Sequence, residues 1–127
     1  MSPYLFYSAM LRFVATKTET AAPDARTADM AAILRRVADF AEQGSEIEVA
    51  ADRLELSARA MAGFAAFLQK SILPEAVAHG NRAGETQIRW SVDAAMDAVN
   101  TLLARAALQE GQAVRITLPP PPAEPCP

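Results

Sequence analysis

The sequence is poor in the residues on which most protein chemistry is built. Among 127 residues there is one cysteine, Cys126, and one histidine, His79. A lone cysteine excludes an internal disulfide and gives no support for an oxidising, exported setting. One Cys and one His, far apart, exclude the usual Cys/His zinc sites. A di-iron bundle needs two Glu-x-x-His motifs; here Glu75 and His79 stand four residues apart, across an expected helix end. Neither G-x-x-x-x-G-K-S/T nor G-x-G-x-x-G occurs, so no standard phosphate loop is present.

Long apolar runs are also missing. The longest uncharged ones, Tyr4–Leu11 and Ala60–Leu68, fall short of the ~20 residues a membrane helix needs. The first residues lack a basic stretch and an A-x-A cleavage pattern, so a cytoplasmic protein is expected. Lysine is scarce: of 12 basic residues, only Lys17 and Lys70 are lysines. With abundant Ala and Arg, that usage fits a bacterial genome rich in GC. The net charge is -3 and the pI is near 5.1. Phosphate neutralisation supplies much of the affinity of DNA-binding domains, so the acidic balance argues against nucleic acid as the main partner.

What is present is helical periodicity. Ser2-Pro3 reads as an N-cap with proline at the first helical position. Behind it Phe6, Met10 and Phe13 share a face, with Tyr7, Leu11 and Val14 beside them. "TKTETAAPDART" loses the pattern and reads as a connection. From Asp24 to Gln43 the period returns through Met30, Ile33, Leu34, Val37, Phe40 and Ala41. Ile47, Ala51, Leu54, Ala58, Met61, Ala65, Leu68 and Ile72 then follow alternating steps of four and three. That seam predicts one unbroken helix packed almost parallel to a neighbour, with Phe64 and Phe67 as a second apolar flank. Pro74 interrupts it. A last long helix, from about Gly84 to Gln109, repeats the seam through Ile88, Val92, Ala95, Val99, Leu102 and Ala106, with Met96 and Leu103 beside it, and Gly111 closes it. "AVRITL" alternates, but no partner strand is evident, so it reads as extended. Pro119, Pro120, Pro121 and Pro122 favour a polyproline II rod.

Few residues are candidates for chemistry. Cys126 lies in the proline tail, a poor place to hold a reacting geometry. His79 could carry phosphoryl transfer, but Gly80 after it ends the helix, and a histidine at a helix C-terminus is favoured by the dipole alone. "VAADRLELSARAM" has a faint helix-turn-helix pattern, with Ala51 as the small residue. Glu55 stands where the turn glycine belongs, and Glu46, Glu48 and Asp52 would repel phosphate. Trp90, beside Arg89, lies off the seam of its helix, and both residue types are enriched at interface hot spots.

The expectation is an all-α fold: a small antiparallel bundle of about four helices over residues 1–111, with an extended proline-rich tail over 112–127. The expected function is a non-enzymatic protein–protein interaction component, an accessory subunit, adaptor or chaperone of a larger bacterial assembly. It is expected to self-associate, with homodimer the simplest form, and to need no cofactor. Its interaction residues are expected among Trp90, Arg89, Phe64, Phe67 and Pro119–Pro122. Two alternatives are a transcriptional regulator built on the degenerate helix-turn-helix, and a carrier whose C-terminal Pro/Cys tail is modified or docked.

Overall fold

The computed structural model describes residues 2–122. Helix α1 spans Pro3–Ala21, and the Ser2 hydroxyl accepts from the Tyr4 amide at its start. It runs further than its apolar pattern. The hydroxyls of Thr16, Thr18 and Thr20 each donate to the carbonyl four residues back, so the threonine stretch stays helical. A three-residue link then leads to α2, Ala25–Gln43, where Asp24 and Thr27 form a reciprocal cap.

These two helices form a hairpin packed along its length. Polar ties cross it near both ends. Arg12 reaches Asp39 at 2.5 Å and Glu42 at 3.0 Å, and the Ser8 hydroxyl donates to Glu42. Toward the other end Arg35 donates to Glu19 through two nitrogens. The buried stripe of α1 is Tyr7, Leu11, Val14 and Ala15. Phe6 and Met10 form its half-buried flank, and Phe13 is exposed.

The expected helix from Ile47 onward does not begin there. Glu46–Val49 is strand β1, paired antiparallel with β2, Val114–Thr117. Ile47 stands opposite Ile116 and Val49 opposite Val114. These four face the core, while Glu46, Glu48, Arg115 and Thr117 face out. The alternation of period two decides the matter, because a strand places successive side chains on opposite faces. The segment read as extended therefore has a partner, and the mostly helical fold carries a small sheet. Val114, Ile116 and Leu118 are buried in the same core as the helices.

A tight 3-10 turn, Ala51–Arg53, leads into α3, Leu54–Phe67. A π-helical turn, Leu68–Ile72, joins it to the short helix α4, Leu73–Ala78. Pro74 accounts for the irregularity: it has no amide to donate, and its ring crowds the carbonyl four residues earlier. Helix α5, Arg82–Leu108, is capped by the Asn81 side chain, which accepts from the Gly84 amide at 2.9 Å. The chain then turns at Gln109 and Gly111, both with positive φ (51° and 68°).

Helices α3 and α5 pack along their lengths as the second pair. Their seams interlock as their spacing predicts: Leu54, Ala58, Met61, Ala65 and Leu68 against Ile88, Val92, Ala95, Val99 and Leu102, all buried. Ala58, Ala65, Val92, Ala95 and Val99 in this seam have short side chains, which lets the two backbones approach closely. No described helix is long and apolar enough to cross a membrane.

Candidate functional site

Two places on the molecule gather aromatic side chains from different helices. The first is a groove where α1, α2 and α3 meet, with a volume of about 330 Å³. Val14, Met30, Leu34, Ala60, Phe64 and Phe67 supply its apolar lining. Lys17 is its one charged lining residue, and Lys17 makes no salt bridge among the described residues. Its Nζ lies 5.5 Å from the centre of the Phe13 ring. Phe13 is 41% exposed and packs against half-buried Phe67, with ring centres 6.1 Å apart.

Gly63 lines the same groove from the middle of α3. A Cβ added there would meet nothing within 4 Å. Glycine in a helix interior costs about 0.5–1 kcal/mol relative to alanine. No close approach among the described residues requires that cost.

The second place is an aromatic cluster at the junction of α1 and α5. Trp90 takes both tyrosines of α1 edge-on, Tyr4 at 5.7 Å and Tyr7 at 5.8 Å between ring centres. Tyr7 in turn meets Phe64 edge-on at 5.6 Å. Such pairs exceed their area burial by about 0.5–1.5 kcal/mol each. The indole Nε1 of Trp90 donates to the Pro120 carbonyl at 2.8 Å. The Tyr7 hydroxyl is buried without a hydrogen-bond partner among the described residues, and burial pushes its pKa far above the ordinary tyrosine value.

The residues singled out from the sequence therefore separate. Trp90, Tyr7 and Phe64 form one continuous aromatic contact, and Pro120 joins it. Trp90 is 8% exposed and Phe64 is 0% exposed, so neither offers an open face, and Phe64 is a core residue. Packing of Trp90 beneath the N-terminal helix explains its position off the seam. Arg89 points elsewhere: its guanidinium is held by Glu85, one turn back, at 3.0 Å. Phe67 belongs to the groove. His79 ends α4, with Nδ1 2.8 Å from the Glu75 carbonyl, in an exposed position. Cys126 lies outside the described residues.

Among the described residues, no three His, Cys, Asp or Glu side chains converge as a metal would require. The helix-turn-helix pattern over Val49–Met61 falls on the end of a strand, a 3-10 turn and the start of α3, so its first helix is missing. Tyr4, Phe13 and Gly63 were not apparent as site residues from the sequence. The spacing of Tyr4, Tyr7 and Leu11 on α1 was the available sign.

A third, smaller cleft of about 180 Å³ lies between α2, β1 and α3, lined by Ile33, Arg36, Val37, Val49, Arg53 and Ser57. Compared with known proteins, the chain matches no family model, no curated protein and no solved structure.

Proposed function

We propose that this protein is a non-enzymatic interaction component, an accessory subunit or adaptor. On this reading the groove between α1, α2 and α3 receives the apolar face of a helix from a partner protein. The observation that carries the reading is the groove itself: an apolar trough floored by Ala60, Gly63 and Phe64, with the Phe13–Phe67 pair beside it. Helices dock in such grooves through apolar anchors at i, i+3 and i+4 spacing. Gly63 leaves room for one of those anchors. Lys17, without a carboxylate of its own, favours a partner helix that carries an acidic residue near its apolar face. Aromatic side chains partly buried at a contact are the usual energetic centres of interfaces.

The test places a photo-crosslinking residue at Phe13 and compares it with one at Asp97, an exposed position on α5. A partner should crosslink from position 13 and not from 97. Gly63→Trp should fill the trough and abolish that product while leaving the helical circular dichroism intact. An equal crosslink from the Gly63→Trp variant would remove the groove from the function.

A further inference from the structure

The proline run ends the described chain, and its burial has a pattern. Pro119 and Pro122 are half-buried, while Pro120 and Pro121 between them are exposed. An inward face every third residue is the period of a polyproline II helix. The run meets the aromatic cluster of α1 and α5 at Trp90, which donates its indole N–H to the Pro120 carbonyl. Among the described residues, that is the one hydrogen bond made by residues 119–122.

The chemistry of this contact is specific. A run of prolines has no amide donors and presents carbonyl oxygens alone. A surface that binds it must supply a donor together with flat apolar walls. The indole N–H is a donor only. Tyr4 and Tyr7 meet the indole edge-on and fix the plane in which it points. All three rings stand on long helices, so the seat keeps its shape whether or not the run is present. Polyproline ligands are bound in aromatic-lined grooves by this set of groups, because the ligand is already ordered before it binds.

We propose that Trp90 and the half-buried Tyr4, with the fully buried Tyr7 behind them as a positioning residue, form a polyproline-binding site, guarded in cis by Pro119–Pro122, that takes a proline-rich segment of another protein in trans. The guard is lightly held. Leu118, just before it, is buried and donates its amide to the Ser45 carbonyl at 2.7 Å, so the chain is anchored up to that residue. Beyond it the run can lift away without disturbing the sheet. A tethered run competes at an effective concentration on the order of mM, so a free peptide binds the intact protein only weakly. This inference rests on a different face of the molecule from the groove, and either can fail without the other.

The chain holds one tryptophan, so its emission reports on this seat alone. The experiment uses the full-length chain with Pro119→Ser and Pro122→Ser, which spoils the inward face of the guard. A labelled peptide with the sequence of residues 117–122, TLPPPP, is titrated against this variant and against the unaltered chain. The variant should bind it saturably, with a shift in Trp90 emission, and at least ~10-fold more tightly than the unaltered chain, whose own run occupies the seat. The peptide TLSPPS should not bind. Trp90→Phe in the released background should lose peptide anisotropy while the helical signal stays intact, since phenylalanine keeps a ring and lacks the donor. No saturable binding to the released variant would overturn the proposal: with Trp90 emission moved, the open seat does not bind prolines, and with emission unmoved, the run does not guard it. A dimer of the unaltered chain that dissociates in the released variant would also overturn it, because the partner would then be a second copy.

Discussion

Among the described residues, the Tyr7 hydroxyl is the one buried side-chain polar group without a hydrogen-bond partner. Its ring contacts both Phe64 and Trp90 edge-on, yet its oxygen is buried without a partner. A buried donor left unpaired costs about 1–3 kcal/mol, so Tyr7→Phe should stabilise the fold by about 1 kcal/mol, read from the urea midpoint. The same group sets an alkaline limit. Its folded-state pKa is raised above the ordinary value of 10.0 by desolvation, so an unfolded chain ionises there while the folded one does not. Stability is therefore whole below pH 10 and is lost as pH rises beyond it. Tyr7→Phe should flatten that loss, and an identical alkaline profile in the two proteins would assign it to another group. Gly63 makes the converse case. Gly63→Ala meets no obstruction, so it should raise stability by about 0.5–1 kcal/mol. A loss of stability instead would show that α3 needs the glycine for its own packing.

At the scale of the elements, the α1–α2 hairpin depends on polar ties as well as on its apolar stripe. The Ser8 hydroxyl and then the Arg12 guanidinium hold the Glu42 carboxyl below its ordinary 4.5, and Arg35 does the same for Glu19. These are depressed carboxyl groups, so their contribution is present above pH 4.5 and is lost as pH falls through the folded-state values. Arg12→Ala should lower the urea midpoint at pH 7, with the slope unchanged, and the gap from the unaltered chain should narrow below pH 4.5. All the partners are substantially exposed, so the effect is modest and salt-sensitive. None of these cross-helix pairs could be read from the sequence, because they join residues 16 to 34 positions apart. The long helices were legible, since their seams repeat every three or four residues within one element. The strand β1 was not, because Ile47 happens to continue the step of four that leads to Ala51. Its own signal was Glu46-Ile47-Glu48-Val49, apolar at every second position. The matching alternation in Val114, Ile116 and Leu118 was visible, but pairing across more than sixty residues leaves no local mark. The groove was partly legible through Phe64 and Phe67, and the aromatic seat through Trp90 and the prolines. What joined each set was the folding of α1 against α3 and α5, which no window of sequence contains.

For the whole molecule, the C-terminal arm decides whether this is a helical bundle with an appendage or a single closed core. Val114, Ile116 and Leu118 are buried, and β2 covers Ile47 and Val49 of β1. Full burial of a Val, Ile or Leu side chain contributes about 1.5–3 kcal/mol, so the three together stabilise the fold by roughly 5–9 kcal/mol as an upper bound. That rivals the net stability of a typical domain, about 5–15 kcal/mol. A chain ending at Gln112 should therefore be largely unfolded or aggregated at 25 °C. It would also leave β1 as an unpaired apolar edge, open to association with other chains. A chain ending at Leu118 keeps all three side chains and the amide bond to Ser45, and among the contacts of the described residues loses the proline contact with Trp90. Its urea midpoint should fall slightly, by an amount matching one hydrogen bond and some half-buried ring surface, about 1 kcal/mol. Measuring both truncations beside the full chain separates the two parts of the arm. A large loss confined to the shorter chain makes β2 a structural element and leaves the prolines available for exchange. Equal stability of all three would mean that the helices alone hold the core, and that the sheet is dispensable to it.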